Sequence, residues 1–236
     1  VSSLLERLSQ EPHLSVGVLT ADLLRLGDEL AVLDDAGVGI IHIDVMDGHF
    51  CPPLTVGPPF VSALPDRFTK DVHLMISEPL TKIEEYVAAG AGILTFHIEA
   101  EGHPYRLLQS LGGRGIIRGV ALNPGTPLAL VEPLLDELEL LLVLAVNPGW
   151  SGQTFLPATA QRLHSARELI GARPILIAVD GGITRANVAQ VAGLAPDVIV
   201  TGSAVFDGGD TIANVRTMQA ALTAAQGPPI ASPGRA

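Results

Sequence analysis

The sequence predicts an α/β protein of the (β/α)8 TIM-barrel class in a single domain, and three observations predict it. Short apolar, β-branched runs recur along the 236 residues with helical patterns between them. No linker or shift of composition divides the chain. Polar residues gather at the C-terminal ends of the apolar runs, where barrel enzymes place their sites. Strand–helix alternation implies parallel pairing. An open dinucleotide-binding sheet should carry G-x-G-x-x-G after its first strand, whereas here the strand leads into Thr20-Ala21-Asp22.

In chain order, the expected strands are Leu14–Leu19, Ile40–Val45, Asp71–Met75, Ile93–Ile98, Ile117–Leu122, Leu141–Val146, Ile175–Val179 and Val198–Thr201. The clearest helical stretches between them are Leu23–Ala36, Leu80–Ala89, Leu128–Leu135, Ala158–Ile170 and Ala186–Ala192. Gly37, Gly90, Gly171 and Gly193 stand where helices stop, as expected of a residue that tolerates the left-handed cap. The barrel is expected over residues 1–226. A flexible tail is expected over 227–236, which contains Gly-Pro-Pro and Ser-Pro-Gly. The opening residue, Val1, is not methionine, which fits a trimmed N-terminus.

Composition narrows the function. With 47% hydrophobic and 17% charged residues, the chain can bury a full core. Its net charge of −11 and lack of a dense Lys/Arg cluster argue against nucleic acid and against an anionic membrane as partners. A phosphorylated small molecule remains compatible, because backbone N–H groups bind phosphate without side-chain charge. The longest apolar run, Leu140 to Val146, is too short to span a bilayer. Cys51 is the one cysteine, so an intrachain disulfide is excluded and a cytoplasmic setting is expected.

Chemistry concentrates on three strands. A side-chain period of two puts His42, Asp44 and Met46 on one face of the second strand and Ile41, Ile43 and Val45 on the other. The apolar set suits the helix-covered side, which leaves His42 and Asp44 pointing into the barrel. The third strand repeats the pattern, with Asp71, His73 and Met75 inward and Val72 and Leu74 outward. Asp180 ends the seventh strand at the rim. Two imidazoles and two carboxylates aimed at one axis suit a divalent metal (zinc, iron(II), manganese or cobalt), with structural ion pairs as the alternative. A second set of loops reads as a phosphate cradle. Gly149-Trp150-Ser151-Gly152 follows strand six, Gly181-Gly182 follows strand seven, and Gly202-Ser203 follows strand eight.

These segments resemble the ribulose-phosphate 3-epimerase family. The match runs through His42-Ile43-Asp44-Val45-Met46-Asp47-Gly48-His49-Phe50, Asp71-Val72-His73-Leu74-Met75, Val120-Ala121-Leu122-Asn123-Pro124, Val146-Asn147-Pro148-Gly149, Val179-Asp180-Gly181-Gly182-Ile183 and Gly202-Ser203-Ala204-Val205-Phe206. The resemblance implies a metal held by His42, Asp44, His73 and Asp180. It also implies that Asp44 and Asp180 are the acid/base pair on opposite faces of the sugar, with Met46 and Met75 shielding the intermediate. His97 matches a family position and is equally compatible with a structural role. Barrels of this kind often associate, so a homo-oligomer is among the expected states.

The chain also departs from the family pattern. Gly17, in Val16-Gly17-Val18-Leu19, stands where family members usually carry a serine whose hydroxyl reaches the substrate. Trp150-Ser151 stands in a usual Gly-Phe-Gly-Gly-Gln loop, and because serine tolerates positive φ poorly, a shifted loop is expected. Leu144 takes the place of a third family methionine. Interconversion of D-ribulose 5-phosphate and D-xylulose 5-phosphate is therefore the leading expectation. Beside it stand 3-epimerisation of D-allulose 6-phosphate or a four-carbon analogue, and a non-catalytic sugar-phosphate-binding barrel. Related decarboxylases carry Asp-x-Lys-x-x-Asp on the second strand, and Met46 occupies the lysine position here.

Overall fold

A computed structural model describes residues 3–225. The tail expected over 227–236 lies outside the described residues. The chain runs α1 (Leu4–Leu8), β1 (His13–Gly17), α2 (Leu26–Asp35), β2 (Ile40–Met46), α3 (Pro58–Ala63), β3 (Thr69–Met75), α4 (Ile83–Ala88), β4 (Ile93–His97), α5 (Pro104–Leu111) and β5 (Ile117–Leu122). It continues through β6 (Leu140–Leu144), α6 (Ala158–Ile170), β7 (Leu176–Asp180), α7 (Val188–Ala192), β8 (Val198–Thr201), α8 (Ser203–Phe206) and α9 (Thr211–Ala225). The strands pair in parallel, each with its sequence neighbours, and β8 closes on β1 to complete an eight-stranded barrel. Among the described residues no helix is long and apolar enough to cross a membrane.

Strand alternation divides the core into two layers. Outward residues such as Ile41, Ile43, Val45, Val72 and Leu74 pack under the helices, as the period of two predicts. Inward residues of the lower barrel, including Ile40, Ile93, Ile117, Leu140, Leu176 and Val198, form a separate apolar plug. Leu8 of α1 joins that plug, with Leu4 and Leu5 packed against it. The interior is lopsided. On β5–β8 the inward positions above the plug are mostly apolar (Ala121, Leu142, Leu144, Ala178, Val200), whereas β1–β4 supply Ser15, His42, Asp71, His73, Thr95 and His97, all buried. The upper barrel thus presents most of its polar groups from one side, with Asp180 of β7 facing them from the other.

Several elements differ from expectation. The first strand stops at Gly17, and Val18–Thr20 forms a 3-10 turn. The sixth strand stops at Leu144, after which Ala145 N–H donates to the Asp180 carbonyl at 2.7 Å. The stretch expected as a helix over 128–135 is a 3-10 segment, Leu128–Leu134, because Pro133 lies inside it and lacks the N–H an α-helix needs. Gly37, Gly90 and Gly171 take positive φ beyond their helices. After α7 that conformation falls instead on Ala195, with φ 55°.

Gly119 faces Thr95 across the β4–β5 pair, and a Cβ there would lie 2.9 Å from Thr95 Cβ and closer still to its hydroxyl. Both residues point into the closed barrel, where neither strand can yield. Gly119→Ala is therefore expected to cost about 1–3 kcal/mol through overpacking. Gly27→Ala in α2 meets nothing within 4 Å and is expected to be neutral or mildly stabilising. Thermal melts of the two variants check the contrast; equal melting temperatures would contradict it.

Candidate functional site

The site sits at the C-terminal mouth of the barrel, in a cavity of about 440 Å³. Register places its chemistry. His42 pairs with Asp71 across β2–β3, Asp44 with His73, and Met46 with Met75, so successive inward positions of two neighbouring strands stack up the barrel axis. Asp180 reaches the same level from the end of β7. Ligand atoms from His42, Asp44, His73 and Asp180 all lie within 4.8 Å of one another. The backbone under Asp44 is fixed by Thr55, whose hydroxyl donates to the Asp44 carbonyl at 2.6 Å and accepts from Met46 N–H at 2.9 Å.

Each imidazole has one nitrogen turned into the cluster and one turned away. His42 Nε2 lies 3.2 Å from Asp44 Oδ1, and its Nδ1 lies 2.8 Å from Asp71 Oδ2, which also accepts from the Ser15 hydroxyl at 2.8 Å. His73 Nδ1 lies 3.1 Å from Asp44 Oδ1 and 4.0 Å from Asp180 Oδ2. Its Nε2 lies 2.9 Å from His97 Nε2. The outward nitrogens are thus engaged behind the cluster, while two ring nitrogens and two carboxylates converge in front. That donor set, mixed nitrogen and oxygen with fixed rings, fits a divalent metal ion.

The two cluster carboxyl groups differ in state. Burial, and then the charge of Asp44 beside it, pushes the Asp180 carboxyl up to about 7. Burial disfavours the charge on Asp44 as well. Even so, the charge of His42 and the hydrogen bonds from His42 and His73 hold Asp44 well below the usual carboxylate range. Burial disfavours a charged His42, yet Asp71 and Asp44 outweigh it and raise the ring well above its ordinary value. Burial pushes His73 down to about 4. The cluster therefore holds one ionised carboxylate next to one that carries a proton near neutrality. His42 Nε2 is where a divalent ion would replace a proton.

Every expected substrate residue lines the cavity: Gly17, Met46, Met75, Gly149, Trp150, Ser151, Gly152, Gly181, Gly182, Gly202 and Ser203. His42, Asp44 and Asp180 also reach its wall, whereas His73 is fully buried behind it. No lysine or arginine lines it among the described residues. In the loop where serine was expected to disfavour positive φ, Gly149 and Gly152 take the positive values, 128° and 81°, and Ser151 does not. The Gln153 side chain braces this loop from within, donating to the carbonyls of Asn147 at 2.6 Å and Trp150 at 3.0 Å. Gly181 and Gly182 also take positive φ, and a Cβ on Gly182 would strike the Phe155 backbone. Sequence reasoning missed the hydroxyl residues of the wall, Thr20, Thr55, Thr184 and Thr201. Isolated threonines at strand ends, in turns and in loops carry no pattern that would have found them.

Comparison with known proteins agrees with this geometry. The sequence profile of the ribulose-phosphate 3-epimerase family matches residues 13–206. The chain is 41% identical over 216 residues to a ribulose-phosphate 3-epimerase of Rhodobacter capsulatus, covering 88% of this chain and 94% of that one. It is 39% identical over 195 residues to the ribulose-phosphate 3-epimerase of Escherichia coli K12, covering 80% and 87%. Among solved structures, 3-hexulose-6-phosphate synthase from Salmonella typhimurium superposes with a TM-score of 0.66 at 20% identity, covering 90% of this chain and 99% of that one. That likeness is one of fold.

Proposed function

The chain belongs to the ribulose-phosphate 3-epimerase family, and on that premise we propose that it interconverts D-ribulose 5-phosphate and D-xylulose 5-phosphate by proton exchange between Asp44 and Asp180. The observation that carries this reading is the convergence of Asp44 and Asp180 with His42 and His73 at the cavity, with ligand atoms within 4.8 Å of one another. Inverting a carbon beside a carbonyl means removing its proton on one face and returning a proton on the other. The ionised group removes the proton, leaving a cis-enediolate, and the protonated group delivers one. The two groups then stand with exchanged roles, ready for the reverse direction.

His42, Asp44, His73 and Asp180 would hold one divalent metal ion, with zinc, iron(II), manganese and cobalt all compatible with the donor set. When bound, such an ion supplies Lewis-acid stabilisation of negative charge on the substrate oxygens. The chain's own groups supply the rest. Met46 and Met75 line the cavity beside the carboxylates and exclude water from the intermediate. The phosphate is received by backbone N–H groups of the loops at Gly149–Gly152, Gly181–Gly182 and Gly202–Ser203, since the wall offers no cationic side chain.

Gly17 bears on which ketose is preferred. A Cβ at Gly17 would meet Gly202 Cα at 3.4 Å, at the edge of ordinary van der Waals contact, so the backbone there accepts a side chain's first carbon. The expected order of kcat/KM in a side-by-side assay places D-ribulose 5-phosphate above D-allulose 6-phosphate and a four-carbon analogue. Gly17→Ser is expected to shift KM or kcat for the true substrate by several-fold, about 1 kcal/mol for one added hydrogen bond. Preference for another ketose would reassign the substrate. Turnover of none of the three would return the barrel to sugar-phosphate binding without catalysis. An unchanged Gly17→Ser variant would place Gly17 outside the substrate's reach.

A further inference from the structure

Asp47 follows directly on β2 and belongs neither to the ligand cluster nor to the cavity wall. Its carboxylate is nonetheless fully engaged. One oxygen accepts from His49 N–H at 2.8 Å and Phe50 N–H at 2.9 Å, and the other accepts from Ser77 N–H at 2.8 Å. Ser77 lies just beyond the end of β3, so the carboxylate ties the turn after β2 to the neighbouring strand. The turn also closes on itself. Gly48 N–H donates to the Pro53 carbonyl at 3.0 Å, and Thr55 N–H donates to the Met46 carbonyl at 3.2 Å. Cys51 is buried within it, its Sγ 3.9 Å from the Met75 carbonyl.

The phosphate loop rests against this turn. A Cβ on Gly149 would lie 3.3 Å from Cys51 Cβ, 3.5 Å from Pro52 Cδ and 3.6 Å from Pro53 Cδ, so the Gly149 backbone is seated on these three residues. Two other supports of the loop come from itself and from the loop after β7. Gln153 bonds inside it, and Gly182 packs on the Phe155 backbone. The seat, in contrast, belongs to the stretch of chain that carries Asp44. The span from the ligand cluster to the phosphate-binding N–H groups is therefore set through this turn. We propose that Asp47 is a positioning residue for the phosphate end of the site, holding the turn 48–53 as the surface on which Gly149 is seated. This rests on the phosphate reading above.

Asp47→Asn keeps the size of the side chain and breaks its bonding pattern. N–H groups point at both carboxylate oxygens, whereas a carboxamide offers an oxygen at one position alone. Its NH2 then faces either Ser77 N–H or the pair from His49 and Phe50, donor against donor. Either way the turn loses a tie and Gly149 loses a fixed seat. Asp47→Ala removes all the bonds and is expected to go further in the same direction.

Trp150 is the chain's one tryptophan and stands in the phosphate loop, 59% exposed, so its fluorescence reports that loop. The test compares wild type, Asp47→Asn, Asp47→Ala and Arg118→Gln. Arg118 lies near the start of β5, at the opposite end of the barrel, where it pairs with Glu137 and Glu139. Its replacement loosens the fold without touching the mouth. In Asp47→Asn the anisotropy of Trp150 is expected to fall and its quenching by acrylamide to rise. The dissociation constant of inorganic phosphate, measured by calorimetry, and the KM of the ketose phosphate are expected to rise by about tenfold, the scale of one hydrogen bond to a charged group. Because the acid/base pair is untouched, kcat is expected to stay within about threefold. Arg118→Gln is expected to match wild type in every readout. Asp47 variants with wild-type Trp150 signals and wild-type phosphate affinity overturn the proposal, and so does a loss confined to kcat. Equal changes in Arg118→Gln overturn it too, by making the effect one of general stability. Wild-type protein that binds no inorganic phosphate would sink the phosphate reading instead, and the Trp150 signal would then decide the seating of the loop by itself.

Discussion

Asp180→Asn is expected to lower the turnover of both ketose phosphates by about 10³-fold or more while the barrel remains folded, and Asp44→Asn is expected to do the same. General acid–base groups contribute about 10²–10⁴-fold each, and inversion needs both in one turnover. The lesion differs between the two. Asp180 is the carboxyl held near 7, so its replacement removes the proton donor and one of the four ligands, leaving His42, Asp44 and His73 for the ion. Asp44 is the ionised partner and the hub of the cluster, within 3.2 Å of His42 and 3.1 Å of His73, so its loss weakens metal binding further. Initial rates on both epimers, with metal content and circular dichroism measured on the same samples, separate these effects. A variant that keeps most of its turnover contradicts the two-carboxyl account.

Removal of the metal ion is expected to cost a comparable factor, at least about 100-fold, since a Lewis acid contributes several kcal/mol to stabilising charge in the transition state. Restoration on adding back a divalent ion is part of the expectation. The affinity should also rise with pH across neutrality. His42 is raised well above its ordinary value by Asp71 and Asp44, so below that point a proton on Nε2 competes with the ion. Dialysis against chelator at several pH values, followed by assay and elemental analysis, measures both trends. Full activity in metal-free protein would contradict the account, and so would an affinity that falls with rising pH.

The barrel was legible because two periods dominate the sequence: alternation within strands and strand–helix recurrence along the chain. The same alternation put His42, Asp44 and His73 on inward faces, because a strand residue's face follows from parity once one apolar set is known to pack under helices, while Asp180 was read as the end of the seventh strand. Short elements were less legible. The capping box of Ser3 and Glu6, which starts α1, was readable in the sequence, yet a five-residue helix scarcely shows a period. Pro104 at the start of α5 and the Pro58-Pro59 pair of α3 were likewise helix-start signals, on helices too short to show a period. The 3-10 turn around Pro133 shows the converse, where an apolar pattern suggested a helix that the missing N–H forbids.

What pattern alone could not supply was state and connection. Nothing in the spacing of Asp44 and Asp180 says which is ionised. That follows from Asp44 standing next to His42 and His73 while Asp180 has burial and a neighbouring negative charge. The contact of His73 with His97, and of His97 with Glu99, depends on ring orientations that only the folded barrel fixes. The loop at Trp150-Ser151 teaches the same lesson in reverse. Serine looked ill-suited there, but the glycines on either side absorb the turn.

The most direct test of the two-carboxyl account is the fate of the C3 hydrogen when wild-type enzyme works in D2O and the reaction is stopped at low conversion. With separate groups taking and returning the proton, the product epimer should carry solvent deuterium at C3 while the remaining substrate stays largely unlabelled. Product that retains the substrate's own hydrogen would mean that one group serves both faces, and would contradict the exchange between Asp44 and Asp180.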